Sequence, residues 1–557
     1  MAIVSFYPDR RSIEVPRGAT ILQAARKAGI MLETPCNCVG ICAKCAVRLD
    51  ADSLKNIAMM TPGPREGIDL EHTWVLSCQT EILGDIAVEV PGTEQSETIK
   101  ILCYGRMRAV ELDPCIRKTY SKEEDKTSVS ALDRLLAREP GDTRGTNLGI
   151  VADIGTTTLV ASLVDLTNGQ EVCVASALNP QSLHAQDVLS RIRYASEEAG
   201  LKTMHMAVVE EINRLTGELA AKSGIAGESI YEMVFSGNTC MLHLATDCNP
   251  SSLGKFPYIP AITGGNHVSA NQQGLNIAES GLVYLPPIIS GFVGADITSG
   301  ILATRLHQSA GTTLLVDVGT NGEMVLAGNG RLSAASTAAG PAFEGMNISC
   351  GMRAGRGAIE AFDIDEDGAI IVKTIENAKA AGICGSGLLD IVGELVAHGV
   401  IAGSGRFVDR QKSDLPAMVK TRLIEREGKT VFQAAEDILL TQKDIRQVQL
   451  AKAAVRTGIE FLLQDAGIGP EEVDRILIAG SFGYHLQEKS LINVGLLPEE
   501  FAGKIEFVGN TSKSGGQAFL LNRGTRAEMA ALVKAIQVIE LVGVPDFDKV
   551  FVRCLGF

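Results

Sequence analysis

The sequence predicts an α/β protein in two unequal parts: a small α+β unit at the N-terminus and a large α/β unit built by duplication. Three observations carry that expectation. Residues 1–94 run hairpin, helix, Cys-rich loop and further strands. From Leu148 onward, apolar strands alternate with amphipathic helices and Gly-rich turns, the pattern of a layered α/β fold. Within that stretch the segment Leu148 to Thr158, which holds Asp153, is echoed by Leu314 to Glu323, which holds Asp317. The two Asp lie 164 residues apart, too far for a solenoid unit and suited to a duplicated domain. The expected organisation is 1–94, a linker or short middle segment at 95–146, and 147–557 in two halves, about 147–310 and 311–557.

The N-terminal elements follow from local pattern. Ile3 to Tyr7 and Ser12 to Val15 alternate as strands around the turn Pro8 to Arg11. Thr20 caps a helix from Ile21 to Ala28, and Gly29 stops it. Cys45 to Leu49 and Ile86 to Val90 read as strands. This is the element order of a small β-grasp domain. In the next segment Val110 to Leu112 reads as a short strand, the run Lys122 to Lys126 as a solvated loop, and Ser130 to Arg138 as a short helix ended by Pro140 and Gly141.

Composition removes several function classes. With 51 basic and 66 acidic residues the net charge is −15, and phosphate-backbone binding needs a basic footprint, so no nucleic acid is expected. Aromatic residues make up 4%, too few for a base-stacking surface. Met1 to Arg11 lacks the apolar core of a signal peptide, and the most apolar segment, Gly281 to Val293, is broken by Pro286, Pro287 and Gly291. A cytoplasmic protein with no membrane partner is expected. The 13 Cys are an odd number without a secretory signal, which favours reduced thiols and metal ligands.

Cys36, Cys42, Cys45 and Cys78 have the spacing Cys-x5-Cys-x2-Cys-x32-Cys. A [2Fe–2S] cluster needs four thiolates, and a tight loop can supply three of them. Gly40 allows that turn. The five-residue first gap is that of vertebrate-type [2Fe–2S] ferredoxins. Cys38 competes with Cys36 for the first position, but would leave only three residues before Cys42. Zinc on the Cys42/Cys45 knuckle is the competing reading.

Each Asp-x-Gly-Thr lies between two apolar runs, a strand–turn–strand hairpin rather than the strand–turn–helix of a Walker loop. The turns Gly155, Thr156, Thr157, Thr158 and Gly319, Thr320, Asn321, Gly322 are expected to cradle phosphate oxygens. Asp153 and Asp317 are expected to orient water on Mg²⁺. A third element, Gly480, Ser481, Phe482 and Gly483, follows the strand Ile476 to Ala479 and a helix from Val448 to Asp465, and would lie flat against adenosine. Asp296 is a candidate second carboxylate, Glu323 and Glu344 candidates to position the attacking water, and His243 a candidate ligand contact or a core histidine. The order of the three elements is that of the actin, hexokinase and Hsp70 superfamily, which clamps ATP between two RNase-H-like halves.

Over essentially its whole length the chain resembles the reductive activators of corrinoid proteins. The marks include Leu76 to Gln79, Asp153 to Thr158, Gly237 to Thr239, Gly294 to Asp296, Asp317 to Glu323, Ala339 to Gly345, Gly382 to Gly387 and Ala479 to Gly483. The resemblance implies an N-terminal [2Fe–2S] domain and an ATPase domain. It implies one-electron return of an inactive Co(II) corrinoid protein to Co(I) in a methyltransferase system, with an external low-potential electron donor. The competing expectations are a small-molecule kinase with a fused ferredoxin domain and a nucleotide-gated docking protein without turnover.

Overall fold

In this computed structural model the described residues are 1–30, 32, 34, 38, 40, 44–59, 73–90, 103–105, 109–411, 414–480 and 486–557. Cys36, Cys42, Ser481, Phe482 and Gly483 lie outside them. The N-terminal sheet has five strands in the order Arg11–Val15, Ala2–Tyr7, Ile86–Glu89, Ala46–Leu49, Trp74–Leu76. Ala2–Tyr7 pairs antiparallel with the hairpin partner and parallel with Ile86–Glu89, which places the first and last strands side by side at the sheet centre. The helix Ile21–Lys27 closes one face with Ile21, Leu22, Ala24 and Ala25 buried. Thr20 and Gln23 form a capping box that starts it.

Two six-stranded sheets form the large unit. The first runs Glu171–Leu178, Thr158–Asp165, Leu148–Ile154, Glu232–Gly237, Leu282–Leu285, Asn266–Ser269. The second runs Arg331–Thr337, Gly322–Gly328, Thr313–Val318, Arg475–Ala479, Ile505–Gly509, with Gln537–Val538 beside Arg331–Thr337. In each, three antiparallel strands are followed by two parallel ones on the far side of the first. The duplication read from the two Asp-containing segments is therefore a duplication of sheet topology. Asp153 and Asp317 occupy the same place, near the end of the central strand that pairs with its own hairpin and with a parallel neighbour.

Each half has its own apolar core, and a third core lies between them. Across it the helices Ala295–Thr304 and Thr511–Leu521 pack closely. A Cβ on Gly515 would lie 2.0 Å from the Ser299 carbonyl oxygen, so only glycine permits that approach.

The segment between the two parts departs from expectation. Residues Arg117–Ser121, Lys126–Ala131 and Arg134–Pro140 form a three-stranded antiparallel sheet, so the helix expected from Ser130 to Arg138 is a hairpin. The strand Lys126–Ala131 buries Thr127, Val129 and Ala131 alternately, a period of two that overrides the helix-forming composition. Leu132 and Asp133 both take positive φ, the backbone of a two-residue hairpin turn. Lys122 to Lys126 is the exposed turn before it. Val110 to Leu112 is not a strand. It is held at the second half by Asn522 Nδ2, which donates to the Glu111 carbonyl at 2.9 Å. Ile116, Val129 and Ala131 contribute to the core between the halves, so this sheet is packed structure.

Candidate functional site

The cleft between the halves collects the predicted phosphate-turn residues. It is lined by Gly155 to Thr158, Val318 to Asn321 and Gly480, with Asp153, Asp296, Asp317, Glu323 and Glu344. The two turns close alike: Gly155 N–H donates to the Thr158 carbonyl at 2.9 Å, and Gly319 N–H to that of Asn321 at 3.0 Å. The Gly155 and Gly319 amides are therefore engaged in closing their own turns. Gly480 has φ +109°, and a Cβ there would lie 2.4 Å from the Val318 carbonyl oxygen and 2.9 Å from Asp317 Oδ1. The end of the strand Arg475–Ala479 therefore presses directly on the turn that follows Asp317.

The carboxylates are crowded. Burial pushes Asp296 up to about 7, with the Asp153 charge adding to it. Burial pushes Asp317 to about 7 as well, helped by Asp296 and Asp153. Glu323 is pushed well above the usual range by burial and by Asp296 and Asp317. Asp153 is also raised by burial, although Asn510 Nδ2 donates to it at 2.7 Å and Ser512 Oγ at 2.6 Å. Four acidic oxygen donors in one buried cleft, each disfavouring the next one's charge, suit a hard divalent cation that keeps several waters.

In the metal-free protein this crowding has a sign. Carboxyls whose folded pKa lies above the ordinary 3.8 bind more protons folded than unfolded, so their contribution to stability falls as pH rises from about 4 through 7. Asp296→Asn is expected to raise the metal-free melting temperature, and by more at pH 8 than at pH 5. Differential scanning calorimetry at the two pH values checks this.

Glu344 joins the two turns. Its Oε2 accepts from Thr157 Oγ1 at 2.5 Å and its Oε1 from Thr320 Oγ1. Arg191 braces the first turn from behind: fully buried, it donates to the Thr156 carbonyl at 2.6 Å, the Ala185 carbonyl at 3.1 Å and Gln181 Oε1 at 3.1 Å. Burial lowers it to about 10. Arg191→Ala would leave buried carbonyls without a donor and is expected to cost about 3 kcal/mol of stability, measured by urea denaturation.

Sequence reasoning missed Asn510 and Ser512, and it left Asn238 without a role. A signal was present. Gly509-Asn510-Thr511 repeats Gly237-Asn238-Thr239, each at the end of an apolar strand and the start of a helix. Each Asn caps its helix through its side-chain oxygen. The amide groups then reach across the cleft. Asn238 of the first half donates to Glu323 of the second at 3.3 Å, and Asn510 of the second donates to Asp153 of the first at 2.7 Å. His243, by contrast, is a core histidine: its Nδ1 bonds the Thr239 carbonyl at 2.7 Å and its Nε2 accepts from Ala261 N–H at 3.0 Å.

In the N-terminal unit, Cys45 and Cys78 are buried with their sulfurs 3.3 Å apart. The thiol of Cys38 contacts that of Cys78, and these neighbours together with burial push the Cys78 thiol up. Thiols converging in an apolar pocket fit a thiolate-bound metal centre better than three inert side chains. Lys44 holds this loop on the second half, donating to the Gly351 carbonyl at 2.8 Å. Among the described residues another candidate metal set is Cys115, Glu232 and His267. There the Arg526 guanidinium donates to Glu232 Oε1 at 2.9 Å and lies 3.0 Å from His267 Nε2, so a fixed cation already occupies the centre.

Known protein families match three consecutive parts of the chain. Residues 6–83 match the 2Fe-2S iron-sulfur cluster binding domain, residues 148–309 the RACo middle region, and residues 311–557 the C-terminal domain of RACo, the ASKHA domain. The corrinoid activation enzyme RamQ of Eubacterium limosum is 34% identical over 412 residues, covering 72% of this chain and 69% of that protein. The [Co(II) methylated amine-specific corrinoid protein] reductase of Methanosarcina barkeri is 24% identical over 433 residues, covering 71% of this chain and 74% of that protein. A solved structure, the reductive activator for corrinoid, iron-sulfur protein, superposes with TM-score 0.73 at 30% identity, over 100% of this chain and 98% of that one. No helix among the described residues is long and apolar enough to cross a membrane. The thiol loop, the carboxylate-lined cleft and these matches together place the chain in the family of reductive activators of corrinoid proteins.

Proposed function

We propose that this chain is an ATP-dependent enzyme that returns a corrinoid protein from Co(II) to Co(I) by one-electron transfer, restoring its methyltransferase system. One observation carries the reading: the thiol loop and the carboxylate-lined cleft lie in one chain, and Lys44 of the loop donates to the Gly351 carbonyl on the segment that follows Glu344. Cys45 and Cys78, with Cys36 and Cys42 outside the described residues, would hold a [2Fe–2S] cluster. When bound, it supplies a one-electron reductant, near about −400 mV for plant-type centres. An external low-potential donor refills it.

The protein's own residues do the remaining work in the cleft. Asp153, Asp296, Asp317 and Glu323 would hold hydrated Mg²⁺ against the ATP phosphates. The Thr156/Thr157 and Thr320/Asn321 amides receive the phosphate oxygens. Glu344, between the two threonine hydroxyls, is placed to orient the attacking water and take its proton. Asn238 and Asn510 bind carboxylates of the opposite half, so the metal site is complete only when the halves are closed. Transfer to Co(II) is uphill from such a cluster, so ATP must favour one state of the complex over another through differential affinity.

The test is direct. The reduced protein is mixed with a Co(II) corrinoid protein and Mg-ATP, and the Co(I) absorbance is followed. Its appearance with ATP, and its absence without, is the expected result. Phosphorylation of a small substrate without that signal would replace this reading with a kinase, and a stable complex with neither would replace it with a docking protein.

A further inference from the structure

The segment from Gly340 to Gly351 runs between the two phosphate turns and the thiol loop. Its first residue is tied to the second turn, Gly340 N–H donating to the Thr320 carbonyl at 2.9 Å. Glu344 then accepts from Thr320 Oγ1 of the second half and from Thr157 Oγ1 of the first, and all three residues line the cleft. Beyond Glu344 the chain folds onto itself. A Cβ on Gly351 would lie 2.0 Å from the Gly345 carbonyl oxygen, and Phe343 and Ile348 are buried in the core of the second half. Asp444, fully buried, holds the residue between them by accepting from Ser349 N–H at 2.7 Å and from Ser349 Oγ at 3.0 Å. Lys44 closes the series, donating to the Gly351 carbonyl at 2.8 Å with the Ser349 carbonyl 3.5 Å away.

A polyphosphate entering between the turns brings negative charge against the Glu344 carboxylate and competes with it for both threonine hydroxyls. Glu344 cannot keep its place unchanged. Close-packed chain transmits such a shift rather than absorbing it, and with Ser349 held the shift is felt where Gly345 meets Gly351. We propose that Lys44 is a positioning residue: its bond to Gly351 holds the thiol unit on the second half, and nucleotide between the turns loosens that bond through Glu344, freeing the unit to meet the corrinoid protein. This rests on the reading of the cleft as an ATP site and of the thiol loop as a cluster site. Linkage fixes the converse: if nucleotide weakens the Lys44 bond, removing that bond strengthens nucleotide binding, although Lys44 lies outside the cleft lining.

The test uses the full chain with its cluster, as wild type, Lys44→Met, Lys44→Arg, Glu344→Gln and the Lys44→Met, Glu344→Gln double variant. Affinity for the non-hydrolysable analogue AMP-PNP with Mg²⁺ is measured by titration calorimetry, beside iron content and amide exchange. Lys44→Met is expected to keep its iron and to bind the analogue about fivefold more tightly than wild type, the lower end of ordinary coupling between sites. Lys44→Arg, which retains a donor, binds as wild type does. In the Glu344→Gln background the Lys44 substitution changes nothing further, because both act through one element. The analogue raises amide exchange in the wild-type peptides that hold Lys44 and Gly351, and Lys44→Met shows the raised exchange without it. Equal affinity in wild type and Lys44→Met, with or without a lowered melting temperature or iron content, would make the contact merely structural and overturn the proposal. A full Lys44→Met effect in the Glu344→Gln background would overturn it too. Affinity differences that hold while no Co(I) forms would uphold the proposed contact and remove the corrinoid reading alone.

Discussion

An Asp317→Ala variant is expected to lose ATP-driven Co(I) formation by about two to three orders of magnitude, the usual effect of removing one preorganised charge at a reacting centre. The reason is positional. Asp317 lies near the end of the central strand of the second half, paired in register with Glu323 on its own hairpin and with Ala479 on the parallel neighbour. Gly480 packs against it, and Asp296 and Asp153 face it from the first half. Removing it also relieves a crowded buried charge, so the variant is expected to be at least as stable as wild type at pH 8. Activity and stability therefore move in opposite directions, which separates a catalytic defect from misfolding. The iron content and EPR signal stay unchanged. Full-rate reduction by this variant without nucleotide would show that ATP does not shift the equilibrium.

The second large effect belongs to the thiols. Cys78→Ser and Cys36→Ser are each expected to abolish the cluster, with iron falling to background and Co(I) formation with it, while ATP hydrolysis persists. Among the described residues Cys78 lies against Cys45 of its own unit, and Lys44 carries a hydrogen bond from that unit to the second half. Cys38→Ser is expected to keep the cluster. Iron analysis and a phosphate-release assay on the same preparations check all three. Retention of a full cluster by Cys36→Ser would move the first ligand position to Cys38.

Much of this architecture was legible in the chain itself because the signals are short. The Asp-x-Gly-Thr turns are closed by hydrogen bonds spanning two or three residues, so their sequence and geometry are nearly the same thing. The helix Gln442–Ala466 was legible by periodicity from Val448 to Asp465; its first residues, started by a capping box at Thr441 and Asp444, were not. The helix expected at Ser130 to Arg138 failed for the complementary reason. Its composition favours a helix, but the alternation of Thr127, Val129 and Ala131 just before it is satisfied only when a neighbouring strand and the core between the halves are present.

The residue types, the thiol spacing, the duplicated turns and the layered α/β class were determined by the sequence alone, since each depends on neighbours within one turn or one strand. Tertiary structure decided which of those residues meet. Asn510 reaches Asp153 across 357 positions of chain, and Glu344 reaches Thr157 across 187. Local preference carries no information over such separations. The partners are brought together by two sheets of the same topology packing through the helices Ala295–Thr304 and Thr511–Leu521, and the cleft chemistry exists only where those halves face one another.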